Sequence, residues 1–507
     1  LQAIRFLENI KYEKREIDLL NQISKNIEIE FVWEFSHILD RIFKKLNEYK
    51  DSEIKLVGEI GRTFFHFILR KRLEEVISSN NKVSLDRLGS IKGVEYVSKT
   101  FFTDTKASRE LILKTLELLN EAGFEIYYFN NLCDNVKEFF EHDPGLASEV
   151  YLKLFGHVES SEEETIMGPQ SVVMSLRSTR RQDFEMCHYR LEQNFPSFLE
   201  KAPEHAVTTG LKIVNSYSIH RNQSHIEAIK KKNNIHIGRK KYTFYTDLSY
   251  MWGDSLSHHK PAQLITHIID YFNTLKKSKE FNSLDPLIQL YLSESKAGIT
   301  WAKFIEFANT TPKLFKNLLY QISLNSDILT STSTSYQIGE SISKIYPLLN
   351  EKERNRLVKS ILNIKKEDSE PSYLIWIKRK MLSAIPKDLL KSEKAYLFLK
   401  EHGSLPNEPL FNYSSSVRPY RSTDWLRDKG IDTVAEKNKA IIDRIERLEK
   451  FNYANHNNTP NRVDFEQLIT DASWLFDKLD SIGDLEEDLK FNLLRNLAGF
   501  VSIISSS

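Results

Sequence analysis

Hydrophobic residues recur at helical spacing along most of the chain. Ile112, Leu116 and Leu119 follow the i, i+4, i+7 pattern of an amphipathic helix that buries one face. No proline precedes Pro144, and proline is the residue that most strongly breaks helices. We therefore predict consecutive helices in the first part of the chain and a mainly α fold overall.

Helix start signals support this prediction further along the chain. Asp143-Pro144 combines an N-cap residue with proline at the first helical position, and Asn350 followed by Glu353 forms an approximate capping box. The predicted helices pair through short polar turns at intervals of roughly 35–50 residues, as in HEAT-type arrays. We predict an elongated helical-repeat (HEAT-like) solenoid in which the Ser/Thr-rich connector 330–335 is a solvated turn.

One segment, 233–250, departs from helical periodicity. Ile235 and Ile237 alternate with a polar residue, a glycine-containing turn follows, and Tyr242 and Phe244 continue the alternation. Alternation with a period of two residues around a short turn is typical of a β-hairpin. We predict one β-hairpin inserted in an otherwise helical chain.

A second irregular zone lies nearer the C-terminus. The zone contains Pro406, Pro409 and Pro419 together with other residues that are common in turns. This composition predicts a long loop ahead of a terminal helical unit. The patterns together predict an N-terminal helical array (1–225), a β-hairpin insertion (226–260), helical repeats (261–402), an irregular linker (403–425) and a C-terminal helical unit (426–507).

Composition excludes several classes of protein. The 71 Lys+Arg and 70 Asp+Glu residues give a net charge of +1, which argues against a nucleic-acid coat or a polybasic membrane protein. No stretch approaches the roughly 20 apolar residues that a membrane span requires. The two cysteines, Cys133 and Cys187, exclude a disulfide scaffold and a structural zinc module and favour a reducing compartment. We expect a cytoplasmic protein without a membrane partner.

Catalytic sequence motifs are missing. The segment 58–63, Gly-Glu-Ile-Gly-Arg-Thr, is the nearest approach to a phosphate-binding loop, but it is too short and lacks the lysine. The sequence also has no GxGxxG, GxSxG, HExxH or kinase signature. We predict no catalytic residue, no cofactor and no enzymatic activity for this chain.

The histidine-rich stretch 247–267 is the best candidate for a metal site. Its ligand types are Asp247, Asp254, His258, His259 and His267. Adjacent histidines on a helix point about 100° apart, and no spacing here matches a zinc pattern. We favour surface or interhelical hydrogen bonding and predict no metal ligand.

Three arginines are concentrated at a predicted helix start. Arg177, Arg180 and Arg181 could clamp a carboxylate or phosphate through paired guanidinium hydrogen bonds. Asp183 and Glu185 lie close enough to neutralise part of that charge. Between an anion site and a structural network, we favour the structural network.

The predicted hairpin carries a basic and aromatic surface. It allows three interpretations, namely nucleic-acid binding with base stacking, lysines that deter edge-to-edge aggregation, and an exposed strand that pairs with a partner protein. We weight the last two above the first. The candidate partner-binding residues are Lys231, Lys232, Arg239, Lys240, Lys241, Tyr242, Phe244 and Tyr245.

Several phrases of the sequence resemble a known group of proteins. They are 176–185, 336–349 with Glu353-Arg354 and Ile361-Leu362, and 405–409 with Trp425-Leu426, Gly430-Ile431-Asp432 and Asn438. Across residues 100–480 the chain resembles the long C-terminal helical regions of large bacterial antiphage NTPases of the STAND or AAA+ type. The resemblance implies that an NTPase lies before Leu1 and that this chain is its sensor or scaffold. No catalytic residue carries over.

The sequence therefore leads to one function and two alternatives. We expect a non-enzymatic recognition and scaffold region of a bacterial antiphage defence NTPase, which binds a phage protein or a second copy of itself through its helical-repeat surface. The first alternative is a nucleic-acid-binding helical module that uses the hairpin residues 230–245. The second is an enzyme whose site is assembled from dispersed Asp, Glu and His residues. Because the sequence begins with Leu1 and not Met, we expect a piece of a longer protein.

Overall fold

A computed structural model gives the fold of the chain. It describes residues 14–78, 89–120, 129–158, 179–221, 232–245, 247, 249, 260–365, 370–405, 426, 431–432, 435–456, 465–479 and 487–506. The structure is mainly helical, at 81%, with one two-stranded antiparallel hairpin. The predicted class, mainly α with an inserted hairpin, is confirmed, and the architecture is consistent with a helical-repeat fold.

The chain divides into two compact units, residues 1–407 and 408–507. The predicted linker 403–425 lies outside the described residues except for its first three positions. In the first unit, the described helices before the hairpin are α1 (Lys14–Ser24), α2 (Val32–Lys44), α3 (Asp51–Ser78), α4 (Gly89–Lys99), α5 (Thr105–Glu117), α6 (Phe129–Asp134), α7 (Lys137–His142), α8 (Pro144–Val150), α9 (Thr179–Lys201) and α10 (Pro203–Arg221).

The hairpin and a second series of helices complete the first unit. The strands are β1 (Lys232–Ile237) and β2 (Lys240–Tyr245). The helices after them are α11 (Lys260–Ser278), α12 (Phe281–Glu294), α13 (Gly298–Asn309), α14 (Lys316–Ser323), α15 (Ser326–Thr330), α16 (Ser335–Ile345), α17 (Glu351–Leu362), α18 (Pro371–Ser383) and α19 (Glu393–His402).

Two hydrophobic clusters form the interior of the first unit. The smaller one joins α1 to α4 through side chains such as Phe35, Phe64 and Tyr96. The larger one is continuous from Phe65 to Ala395 and includes side chains of the hairpin. Because each helix buries its apolar face against its neighbours along the chain, the array shares one extended core.

The two cap signals form as the sequence predicts. Asp143 accepts a hydrogen bond from the Leu146 backbone N–H at 2.8 Å, so α8 begins at Pro144. Asn350 and Glu353 form a reciprocal capping box at the start of α17, with both hydrogen bonds at 2.9 Å. The local sequence therefore fixes where these two helices begin.

Replacing Asn350 with alanine is expected to lower the free energy of unfolding by about 1 kcal/mol, because one helix donor loses its acceptor. The shift of the urea midpoint measures this loss. Asn355→Ala is the matched control, since Asn355 is exposed inside the same helix and alanine favours helix there. Equal destabilisation by both variants would contradict the importance of the cap.

The connector 330–335 is buried except for Thr332, contrary to the prediction of a solvated turn. Thr334 is fully buried and its hydroxyl donates to the Ile328 carbonyl at 2.7 Å, while the Ser331 hydroxyl accepts from the Ser333 N–H at 3.2 Å. Short hydroxyl side chains satisfy the backbone groups of a tight connection, so it can lie inside the core. The polar composition therefore serves local hydrogen bonding.

The second unit has three described helices, α20 (Glu436–His456), α21 (Phe465–Leu479) and α22 (Glu487–Ser506). Its core brings together Leu448 of α20, Leu475 of α21 and Leu493 of α22, all fully buried. This unit has its own hydrophobic cluster, which also includes Leu426 and Ile431.

Candidate functional site

The hairpin tip exposes the basic side chains that the sequence singled out. The turn lies at Gly238, whose φ of +61° is in the left-handed region that glycine adopts without strain. Arg239, Lys240 and Lys241 are exposed, and the Lys240 ammonium donates to the Gln289 side-chain oxygen at 3.2 Å. Their role in binding a partner stays a prediction.

The three aromatic residues of the predicted partner surface lie in the core, which corrects that part of the prediction. Phe244 is fully buried, and only 6% of Tyr242 and 8% of Tyr245 are exposed. The Tyr242 ring meets Trp301 edge-on with centroids 6.1 Å apart. Burial raises the pKa of both tyrosines. Rings packed in this way are not available to stack on bases, so only the basic residues remain candidates.

The edges of the hairpin are partly occupied by other elements of the same unit. The Asn325 side chain accepts from the His236 N–H at 2.9 Å and donates to the His236 carbonyl at 3.1 Å, as a neighbouring strand would. On the other edge, the Tyr245 N–H donates to the Lys296 carbonyl at 2.8 Å. A partner strand could not pair with these positions without displacing those contacts.

Other predicted partner and anion residues are only partly described. Lys231 and Arg177 lie outside the described residues. Lys232 starts β1, and Arg180 and Arg181 lie in the first turn of α9, but their side chains are also outside the description. The structural network proposed for the arginines therefore stays a prediction.

Asp247 is a buried hydrogen-bond acceptor. It accepts from the Ser218 and Ser249 hydroxyls, both at 2.6 Å, and from the Gly298 N–H at the start of α13. Burial raises the pKa of Asp247 although these hydrogen bonds oppose the shift. The carboxylate thus anchors the first turn of α13 to the chain that follows the hairpin.

The remaining histidine-rich residues do not assemble around Asp247 within the described part of the chain. His267 lies on α11 with its Nε2 3.9 Å from a Glu192 carboxylate oxygen, and Asp254, His258 and His259 lie outside the description. No group of three or more His, Cys, Asp or Glu among the described residues is placed to hold a metal ion.

The two cysteines are neighbours in the core of the first unit. Cys133 on α6 and Cys187 on α9 are both buried and both free thiols. Burial and a hydrogen bond with Cys187 raise the pKa of the Cys133 thiol. Neither thiol is therefore in the electropositive, accessible surroundings that make a cysteine nucleophilic.

The strongest candidate for a binding surface is an apolar face on the second unit. Five large hydrophobic residues are exposed there, with 66% of Phe476, 61% of Phe491 and 62% of Val501 accessible. We call this surface the α21/α22 face, and its residues are Ile469, Phe476, Phe491, Leu494 and Val501.

Helix α22 carries two apolar stripes. Leu489, Leu493 and Leu497 face the core. Phe491, Leu494, Ala498 and Val501 are exposed, and their spacing of three, four and three residues is that of a coiled-coil seam. A second apolar seam of this spacing is typical of a helix that packs against another helix. The sequence contained this signal, but the predictions above missed it.

The exposed stripes of α21 and α22 both face away from α20. Asp471 of α21 and Asn496 of α22 both bond to α20, through Arg447 and Asn452 respectively. Phe476 lies five residues after Asp471, and Val501 lies five residues after Asn496. Each is therefore about 140° around its helix from the residue that bonds to α20. Since Asp471 and Asn496 face α20, both stripes point away from that helix.

An ion pair between a buried carboxylate and a partly exposed arginine holds α21 to α20. Only 1% of the Asp471 side chain is exposed, and Arg447 donates to its two oxygens at 2.6 and 3.0 Å. Arg444 lies 3.4 Å from the same carboxylate and 4.0 Å above the Trp474 ring. Burial alone would raise the pKa of Asp471, but the hydrogen bonds from Arg447 and Gln467 outweigh it and lower the pKa.

The two halves of the α21/α22 face have borders of opposite charge. Exposed Glu466 and Asp477 lie beside the α21 stripe, and exposed Lys490 and Arg495 lie on either side of the α22 stripe. Arg495 also forms an ion pair with Glu449 of α20 at 3.6 Å. The exposed residues that border the two stripes therefore carry opposite charges, so each stripe is complementary in charge to the other.

Comparison with known protein families, with curated proteins and with solved structures finds no match for this chain. Among the described helices, none is long and apolar enough to cross a membrane.

Proposed function

We propose that this chain is a non-enzymatic scaffold that binds protein and that its α21/α22 face binds the same face of a second copy. The observation that carries the proposal is the exposed apolar seam of α22. Contiguous exposed apolar side chains usually mark an interaction site, and a three-four spacing is typical of packing against another helix.

Charge favours a second copy as that partner. In a two-fold arrangement, α22 of one copy lies on α21 of the other, and the same contact occurs twice. Lys490 and Arg495 then face Glu466 and Asp477 across the seam. A partner whose surface carried charge of only one sign would be repelled by one of the two borders.

Phe491→Glu is expected to dissociate the dimer, because it places an unpaired carboxylate in an apolar seam. Sedimentation equilibrium of the full chain should show at least about a tenfold rise in the dimer dissociation constant. Tyr396→Glu is the matched control, since Tyr396 is an aromatic residue of α19 with 63% exposure outside the face. The control should remain as dimeric as the wild type, and circular dichroism checks that both variants are folded.

Two results would contradict the proposal. One is a wild-type chain that sediments as a monomer at all concentrations. The other is a Phe491→Glu variant that associates as tightly as the wild type and the Tyr396→Glu control.

The wider role follows from the resemblance. We propose that the helical array recognises a phage protein and that the whole chain serves a bacterial antiphage NTPase as sensor and scaffold. Plaque counts on cells that carry the complete protein test this role. Deletion of this region should abolish protection, and full protection after deletion would overturn the role while leaving self-association to its own test.

We also propose a cytoplasmic location. Cys133 and Cys187 are buried free thiols in hydrogen-bonding contact, an arrangement that suits a reducing compartment.

A further inference from the structure

A charged cleft lies between α3 and α5 in the first unit. Its volume is about 460 Å³, and Thr103, in the turn before α5, also lines it. The lining residues of α3 recur at helical spacing and face those of α5. The charged and titratable lining residues are Lys55, Glu59, Arg62 and His66 on α3, with Asp104, Glu110 and Lys114 from the other wall.

Arg62 is the central cation of this cleft. Only 9% of the residue is exposed, and its Nη1 donates to the Thr103 hydroxyl at 2.7 Å. Among the described residues, no carboxylate lies within 4.0 Å of its guanidinium. Burial lowers the pKa of Arg62, although the negative charges of Asp104 and Glu59, which lie farther away, act to raise it. A buried guanidinium normally has an anion beside it, because a charge without a partner is costly to bury.

Two of the three carboxylates that line the cleft have other partners. Glu59, which lines the cleft, forms an ion pair with Lys25 at 3.2 Å. Asp104 accepts from the Ala107 N–H at 3.0 Å and so caps α5. Lys55 and Lys114 have no ion pair with a described residue, and both line the cleft. With Glu59 neutralised by Lys25, three cations face Asp104 and Glu110, which leaves an excess of positive charge.

We propose that the cleft binds a small anion, a phosphate or a carboxylate, on the guanidinium of Arg62. The planar fork of arginine offers two parallel N–H donors to such a group, and Lys55 and Lys114 add positive charge at the mouth. The site is independent of the α21/α22 face, so either proposal can fail without the other.

Gly58 keeps the floor of the cleft in place. A Cβ at this position would lie 2.4 Å from the Thr103 hydroxyl and 3.2 Å from Arg62 Nη1. Gly58→Ala should therefore displace both groups and weaken anion binding without removing any charge.

Isothermal titration of the full chain with inorganic phosphate, and separately with acetate, tests the proposal. One saturable site is expected for at least one probe. Arg62→Gln should weaken binding at least tenfold, and Arg356→Gln, an exposed arginine on α17, should leave it unchanged. Lys114→Gln, on the exposed side of α5, should weaken binding severalfold and provides a second variant if Arg62→Gln fails to fold.

The two probes also identify the ligand chemistry. Binding of phosphate alone supports a phosphate ligand, and binding of acetate alone supports a carboxylate. A wild type that binds neither probe would overturn the proposal. Undiminished binding by both Arg62→Gln and Lys114→Gln would also overturn it.

Discussion

Phe244→Ala is expected to lower the free energy of unfolding of the first unit by about 3–5 kcal/mol. The side chain is fully buried within the large core, and its loss leaves a cavity that the surrounding helices fill only in part. Urea unfolding followed by circular dichroism measures the loss. If Phe244 were instead an exposed residue that binds a partner, its replacement would leave the free energy of unfolding almost unchanged.

Lys241→Ala is the control for the hairpin. Lys241 is exposed on the same strand, so its truncation should change stability by no more than about 0.5 kcal/mol. If Phe244→Ala were as stable as Lys241→Ala, the packing of the hairpin against the helical array would be refuted.

Arg447→Met is expected to destabilise the second unit by about 3 kcal/mol, because it leaves the buried Asp471 carboxylate without its bidentate partner. This loss is at the low end of the usual cost of removing one partner of a buried ion pair, because Arg444 still lies 3.4 Å from the Asp471 carboxylate. Lys450→Met changes an exposed lysine of the same helix and should have little effect. Equal stability of the two variants would contradict a structural role for the ion pair.

The effect of Arg447→Met should depend on pH. The pKa of Asp471 is lowered in the folded state, so its ion pair stabilises the unit above the unfolded pKa of about 3.9. That contribution is lost as pH falls through the lowered folded value. The stability difference between wild type and variant should therefore be constant near neutral pH and shrink below about pH 4. A difference that grows on acidification would contradict this assignment.

Local sequence determines the elements that the patterns predicted correctly. The capping box at Asn350 and the N-cap at Asp143 involve residues three positions apart, so no distant contact is needed to form them. The hairpin was also predictable, since its alternation and its turn at Gly238 are local. These features depend on propensity and backbone geometry alone.

Burial was harder to predict because it depends on distant helices. Tyr242 is covered by Trp301, and the β1 edge is bonded by Asn325, about 60 and 90 residues further along the chain. Five of the six residues of the polar connector 330–335 are buried for the same reason. A basic aromatic hairpin and a serine-rich segment both suggest a surface until their neighbours are known.

The candidate site was missed for a different reason. The core-facing and exposed apolar stripes of α22 interleave, so the sequence 487–506 does not separate one apolar face from the other. Only the structure shows that Leu493 meets the core while Leu494 is exposed. The cleft around Arg62 likewise joins residues more than 40 positions apart, and the sequence offered only an incomplete phosphate-loop pattern at 58–63.

Exchanging the charged borders of the α21/α22 face tests self-association most directly. Sedimentation equilibrium should show a dimer for the wild-type chain and at least about tenfold weaker association for Lys490→Glu with Arg495→Glu. Adding Glu466→Lys and Asp477→Lys to the same chain should restore the dimer. A monomeric wild type, or a fourfold variant that associates no better than the double variant, would contradict the pairing of this face with a second copy.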